Sequence, residues 1–94
     1  MMLDTCQAAL ETFGAVSQTN MVFEEMSELQ KELCKNLRGK NNVLNIAEEI
    51  AEVQIMLEQM ILLQDCQDEV EDWKIIKQLR LRRSIEDAQK ERME

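Results

Sequence analysis

The chain contains no proline and only two glycines, Gly14 and Gly39, and this restricts what it can fold into. Leu, Met, Glu, Gln and Lys, which favour helices, are abundant, whereas the aromatic residues that favour strands make up only 3% of the sequence. We therefore predict an all-α fold. A chain of 94 residues has room for a single domain, residues 1–94, whose small core often needs a second subunit or a metal.

The two glycines and the capping residues divide the first half of the chain. A first helix is predicted over residues 2–13, ending near Gly14. Ser17 is the expected cap of a second helix that runs to about Arg38. Gly39 then stands just past the helix end, where a left-handed residue is common.

Two further helices are predicted in the second half. Asn45 and Glu48 fit a capping box, so we expect the third helix to start there and to run to about Gln64. Asp65 is a candidate cap for the fourth helix, which carries residues 70–89. The charged final residues, 90–94, are expected to fray.

The third helix is apolar around nearly its whole circumference after its first two turns. Such a helix is usually buried, and three short neighbours cannot surround it. We therefore predict that its excess apolar surface faces another copy of the chain, in a homodimer or homotetramer. The fourth helix carries Trp73, which its spacing from Val70 and Ile76 assigns to the core rather than to a nucleobase stack.

The charge and residue types exclude several functions. A net charge of −8 argues against a nucleic-acid partner, and no apolar run approaches the ~20 residues of a membrane span. Cys6, Cys34 and Cys66 are an odd number of isolated thiols, which predicts reduced cysteines and a cytoplasmic location. The absence of histidine removes Ser-His and Cys-His nucleophiles and disfavours catalytic zinc.

One acidic decamer occurs twice: "EEMSELQKEL" at residues 24–33 and "EEIAEVQIML" at residues 48–57. Residues three apart share a helix face, so Glu25 pairs with Glu28, and Glu49 pairs with Glu52. Each pair flanks a predicted core stripe. These stripes are Val22, Met26, Leu29 and Leu33 on the second helix, and Ile46, Ile50, Val53 and Leu57 on the third.

Packing the two helices together would bring four carboxylates to one place. Their repulsion at the edge of a core calls for a positive charge, and oxygen ligands without a soft donor select Mg²⁺ or Mn²⁺. The competing interpretation is a plain acidic helical bundle whose glutamates are solvated surface residues. The spacing alone leaves both interpretations open.

The pair "EEMSEL" and "EEIAEV" resembles the EExxE…ExxD signature of the MazG-like all-α nucleoside triphosphate pyrophosphohydrolases, over roughly residues 14–83. The resemblance implies a four-helix MazG-like bundle with antiparallel helices, completed by oligomerisation. It also implies a Mg²⁺-dependent enzyme that converts a (d)NTP to the monophosphate and pyrophosphate. By position, Glu25, Glu28 and Glu49 match metal ligands with a catalytic role. Glu52 stands where the family usually has Asp.

The resemblance also suggests substrate contacts. Basic residues of the family's fourth helix lie near the phosphates, which here points to Lys77 and Arg80, with Lys74 on the same face. Lys35 and Arg38, at the end of the second helix, are weaker phosphate candidates, and Gln18 is a candidate for the base. The family's asparagine after the second lysine is replaced by Gln78.

Two other functions remain open. The first is a non-catalytic acidic helical module for oligomerisation or partner binding, which Glu52 and Gln78 favour. The second is an extended coiled coil, which fits poorly because Gly14, Gly39 and the polar loop between the helices interrupt the heptads.

Overall fold

The computed structural model describes the backbone of residues 2–93 and the side chains of residues 4–93. This part of the chain is all-α, as predicted. Four helices follow one another through short connections: α1, Met2–Phe13; α2, Ala15–Leu37; α3, Val43–Gln64; and α4, Gln67–Met93. No strand occurs between residues 2 and 93.

A single residue separates α1 from α2. Gly14 has a φ of 89°, a left-handed conformation that glycine adopts without strain, and its carbonyl accepts a hydrogen bond of 3.1 Å from the Gln18 amide. The chain therefore turns and re-enters a helix at once. The prediction that Ser17 caps α2 was wrong, since α2 already begins at Ala15.

The connection between α2 and α3 combines one predicted and one unexpected feature. Gly39 follows the end of α2 with a φ of 99°, as its position predicted. Asn45, however, lies inside α3, whose N-cap position is Asn42, so the predicted capping box is wrong. The Asn42 side chain instead donates hydrogen bonds to the Glu32 carbonyl at 2.9 Å and to Glu32 Oε2 at 2.6 Å. This anchor to α2 fixes where α3 starts.

The junction between α3 and α4 also differs from the prediction. Asp65 ends α3 in a left-handed conformation with a φ of 51° and does not cap α4. The Val70 amide donates to the Cys66 carbonyl at 3.0 Å as α4 begins. The helix continues to Met93, four residues beyond the predicted residue 89; Glu94 lies outside the described residues.

Helices α1, α2 and α3 pack together, and α4 contacts α3 alone within the described chain. The radius of gyration is 17.3 Å, against about 12 Å for a compact domain of this length. Trp73 is 52% exposed, so the prediction that it is a core residue is wrong for the single chain. The cause is that α4 leaves α3 after its first turn, and every residue from 71 to 93 is exposed.

The core coincides only in part with the two predicted stripes, since Val22 of the α2 stripe is buried. Met56 and Gln59 are the buried residues of α3, and Gln18 and Val22 are those of α2. Half of each predicted stripe is only partly covered: Met26 and Leu33 on α2 are 43% and 44% exposed, and Ile50 and Leu57 on α3 are 41% and 44% exposed. The apolar circumference of α3 thus has an inner side against α2 and an outer side without a neighbour in this chain.

Candidate functional site

The four repeated glutamates face one another across the α2–α3 hairpin. The pKa of Glu25 is raised by burial and then by the negative charges of Glu52, Glu49 and Glu28, so Glu25 lies close to all three. Glu49 in turn lies in the field of Glu28 and Glu52. The structure therefore brings all four side chains into one electrostatic cluster, in two crossed pairs: Glu25 with Glu52, and Glu28 with Glu49.

Burial and the charges of neighbouring glutamates raise the proton affinity of two members of this cluster, Glu25 and Glu49. The pKa of Glu25 is raised above its ordinary value, first by burial and then by the charge of Glu52. The pKa of Glu49 is raised by burial and then by Glu28 and its chain neighbour Glu48. Both shifts have the direction expected when carboxylates lose water and gain negative neighbours.

One carboxylate oxygen of the cluster has no partner. Glu49 Oε2 is buried and accepts no hydrogen bond within the described part of the chain. An unpaired buried carboxylate oxygen is costly, and a proton or a cation would satisfy it. Even so, no group of three or more Cys, Asp or Glu residues among those described is arranged to hold a metal ion. The side chains lie close to one another without forming a coordination shell.

A fifth carboxylate, Glu32, belongs to the edge of the cluster, and the sequence did not single it out. Its charge contributes to the raised pKa of Glu49. The pKa of Glu32 itself is lowered, chiefly by the hydrogen bond from Asn42 and also by Lys35, whose Nζ lies 3.4 Å from Glu32 Oε1. The repeat gave no signal for it, because the equivalent position in the second decamer is Met56.

The predicted phosphate-binding residues lie in two places. Lys35 stands at the edge of the cluster, paired with Glu32, and Arg38 is the exposed C-cap residue of α2. Lys77 and Arg80 are on α4, away from the cluster. Their cationic groups lie 5.7 Å and 5.8 Å from the centroid of the Trp73 ring.

The remaining predicted residues have local roles in this chain. Lys74 forms an ion pair with Glu71 at 3.4 Å on α4. Gln18, predicted to reach a base, is buried near the start of α2 and presents no exposed face to a nucleotide. Among the described residues, no ion pair joins a basic residue of α4 to the four glutamates.

A groove of about 520 Å³ separates α3 from the start of α4. Its walls are mainly apolar, with Leu57, Ile61 and Val70 among them, and it includes Glu58 and Lys74 but none of the four clustered glutamates. The groove and the carboxylate cluster are therefore separate features of the surface.

Comparison with known proteins provides no identification: no family model, no curated protein and no solved structure matches this chain. Among the described helices, none is long and apolar enough to cross a membrane.

Proposed function

We propose that this protein is a Mg²⁺-dependent nucleoside triphosphate pyrophosphohydrolase of the MazG-like type, acting on a (d)NTP to give the monophosphate and pyrophosphate. The observation that supports it best is the meeting of two carboxylate pairs across the α2–α3 hairpin, with Glu49 Oε2 buried and unpartnered. An ordinary solvated surface would leave these oxygens in water.

The donor set fits a hard divalent cation. Glu25, Glu28, Glu49 and Glu52 offer only oxygen ligands, the chemistry that Mg²⁺ and Mn²⁺ prefer. Glu28 and Glu52 are exposed, so rotation of their side chains can bring their carboxylates towards the two more buried glutamates. When bound, the cation supplies charge neutralisation on the triphosphate and lowers the pKa of a water molecule.

The chain's own residues supply the rest of the chemistry. The glutamates would hold the cation, and they would accept a proton from the water that attacks the α-phosphorus. The bond to the α–β bridging oxygen breaks, and the electron pair leaves with pyrophosphate. Lys35, at the edge of the cluster, and Lys77 and Arg80, on α4, are the cations assigned to the phosphates.

Glu52 sets the proposed site apart from the family pattern, in which the same position is usually Asp. Its carboxylate lies close to Glu25, whose pKa is raised by burial and then by the charge of Glu52. We expect Glu52→Asp to shift the metal position or its denticity rather than to abolish binding, whereas Glu52→Gln removes a charged ligand.

A second candidate function is a non-catalytic oligomerisation or partner-binding module. The observation that favours it is α4, whose Ile75, Leu79 and Leu81 are each at least 60% exposed. A helix of that kind suits association with another protein surface. In either case we expect a homodimer or homotetramer.

An assay with purified full-length protein separates the two functions. The protein is incubated with canonical and modified NTPs and dNTPs in the presence of Mg²⁺ or Mn²⁺, and pyrophosphate and monophosphate are quantified. We expect turnover by the wild type and by Glu86→Gln, a control on the exposed part of α4, and loss of turnover in Glu49→Gln. Wild-type protein that binds the metal but hydrolyses no nucleotide would contradict the hydrolase function.

A further inference from the structure

The end of the α2–α3 hairpin that holds the connection carries a charge opposite to that of the whole chain. Residues 33–47 contain Lys35, Arg38 and Lys40 but no Asp or Glu, although 19 of the 94 residues of the chain are acidic. We call these three cations the basic connection. A chain with a net charge of −8 thus keeps one positive end, directly after the acidic face of α2.

Glu32 lies between the basic connection and the glutamate cluster. The hydrogen bond from Asn42 is the main cause of its lowered pKa, and the charges of Lys35 and Lys40 lower that pKa further. On the other side, the pKa of Glu49 is raised by burial and then by neighbouring carboxylates, among them Glu32. Glu32 therefore feels both groups, and the positive and negative parts of the hairpin are neighbours.

Lys35 is held in position by its partners. Its Nζ lies 3.4 Å from Glu32 Oε1, and its side chain is 30% exposed. Glu32 Oε2 accepts a hydrogen bond of 2.6 Å from Asn42, which is itself buried and also donates to the Glu32 carbonyl at 2.9 Å. An ammonium group has three donors, so Lys35 can bind a phosphate oxygen without leaving Glu32.

The order of the groups along α2 gives the site a direction. Glu28, Glu32 and Lys35 lie within about 60° of the helix circumference, and Lys35 follows Glu28 by seven residues, about 10 Å along the axis. Towards the start of α2, by contrast, Val22 and Gln18 are buried. A row of charged phosphates would lose its water in that buried part, so its open direction from the cluster is towards the basic connection.

We propose that the basic connection binds the β- and γ-phosphates of the nucleoside triphosphate, so that the substrate lies along α2 with its leaving pyrophosphate next to Lys35. This inference rests on the proposed hydrolase function and adds the orientation of the substrate to it. It also assigns a phosphate contact to Lys40, which the family resemblance did not indicate.

This orientation matches the charges that change during the reaction. The α-phosphate stands at the glutamate cluster, where a carboxylate can accept the proton of the attacking water. The oxygen of that water bonds to the α-phosphorus, the bond to the α–β bridging oxygen breaks, and its electron pair leaves with pyrophosphate. The cations of the basic connection then stabilise the negative charge that develops on the leaving group.

Binding of pyrophosphate tests the basic connection without requiring hydrolysis. Full-length protein is titrated calorimetrically with inorganic pyrophosphate in the presence of Mg²⁺. We expect Lys35→Gln/Lys40→Gln to raise the dissociation constant at least about tenfold. Lys90→Gln/Arg92→Gln, which removes two positive charges from the exposed last turn of α4, is the matched control and should bind as the wild type does. Equal losses in the two double variants, or a wild type that binds no pyrophosphate, would overturn the proposal.

Product inhibition tests the orientation. With a nucleotide that the wild type hydrolyses, Lys35→Gln/Lys40→Gln should weaken inhibition by pyrophosphate at least about tenfold and leave inhibition by the nucleoside monophosphate unchanged. Equal weakening for both products would place the basic connection at the α-phosphate and contradict the proposed direction.

A second variant covers the case in which the lysine changes disturb folding, which circular dichroism would detect. Arg38→Gln changes an exposed side chain at the end of α2 and should also weaken pyrophosphate binding. A wild type that hydrolyses a nucleotide, while all these variants bind pyrophosphate alike, would support the hydrolase function and overturn this inference. A wild type that binds pyrophosphate through Lys35 but hydrolyses no nucleotide would contradict the hydrolase function and support the binding site.

Discussion

Glu25 and Glu52 lie close together across the α2–α3 hairpin, where burial and then the charge of Glu52 raise the pKa of Glu25. The 24-residue repeat relates this pair to Glu49 and Glu28, which also interact. The duplicated decamer thus places two carboxylate pairs, related by the repeat, between α2 and α3, and it concentrates negative charge there.

The clustered glutamates predict a response to divalent cations. In EDTA, Glu49→Gln should melt above the wild type, because it removes a charge whose Oε2 is buried without a partner. Added Mg²⁺ or Mn²⁺ should stabilise the wild type, by about 2.7 kcal/mol at one hundred times the dissociation constant, and should not stabilise the variant. Melting curves with and without the cation measure both effects.

Glu86→Gln is the matched control for that experiment, since it removes one negative charge from an exposed position on α4. It should respond to the cation as the wild type does. An equal gain in all three proteins would indicate general charge screening and would contradict a specific site.

The same cluster predicts how stability depends on pH in the absence of metal. The folded pKa values of Glu25 and Glu49 are raised above the ordinary 4.5, so the folded state holds these protons more tightly than the unfolded state does. Their stabilising contribution is complete below pH 4.5 and is lost as the pH rises through the folded values. Urea unfolding in EDTA should therefore show greater stability near about pH 5 than at about pH 7.

Glu32 has the opposite effect on the pH dependence of folding stability. Its pKa is lowered by the hydrogen bond from Asn42 and by Lys35. Glu32 therefore stabilises the folded state above pH 4.5, and this stabilisation is lost as the pH falls through the pKa that Glu32 has in the folded protein. In the double variant Glu25→Gln/Glu49→Gln, the gain in folding stability on mild acidification should disappear. The loss of folding stability in stronger acid should remain. If the double variant kept the full gain in stability on mild acidification, the groups responsible for that gain would lie outside the glutamate cluster.

Local sequence signals were enough to predict the helix content and the position of Gly39, because these depend on neighbouring residues. The repeat predicted which glutamates share a helix face, since helical periodicity is fixed. The start of α3 depends on Asn42 bonding to Glu32 across ten residues, which no local pattern contains. The exposure of Trp73 depends on the path of α4 away from α3, and amphipathic spacing does not encode that path.

The Asn42 anchor predicts a large local effect on stability. Asn42 is 5% exposed, donates to the Glu32 carbonyl and carboxylate, and accepts a hydrogen bond from Asn36 at 3.3 Å. Asn42→Ala leaves these groups without their partner and should cost about 1–3 kcal/mol. Asn41→Ala, at the exposed neighbouring position, is the control and should change the free energy of unfolding by less than about 0.5 kcal/mol.

Chemical denaturation of the two asparagine variants provides the comparison. If both variants lost the same stability, the effect would come from the connection as a whole and the Asn42 anchor would be contradicted. A titration of Glu32 followed by NMR adds a second readout, since its pKa should rise towards the ordinary value only in Asn42→Ala.

The only tryptophan of the chain can report on phosphate binding at α4. Lys77 and Arg80 lie over the Trp73 ring, within the range of a cation–π interaction worth about 0.5–1 kcal/mol at an exposed site. Pyrophosphate or a nucleoside triphosphate that draws these cations away should change the emission of Trp73. Lys77→Gln/Arg80→Gln should abolish that change and weaken binding of the ligand roughly tenfold.

Arg82→Gln/Arg83→Gln serves as the matched control, because it removes the same charge from two α4 residues that are not placed over the Trp73 ring. Its fluorescence titration should coincide with that of the wild type. If the two double variants lost the same ligand affinity, binding would depend only on the total positive charge of α4. Lys77 and Arg80 would then have no specific role, and the phosphate contacts would have to be sought near Lys35, where a cation already borders the carboxylate cluster.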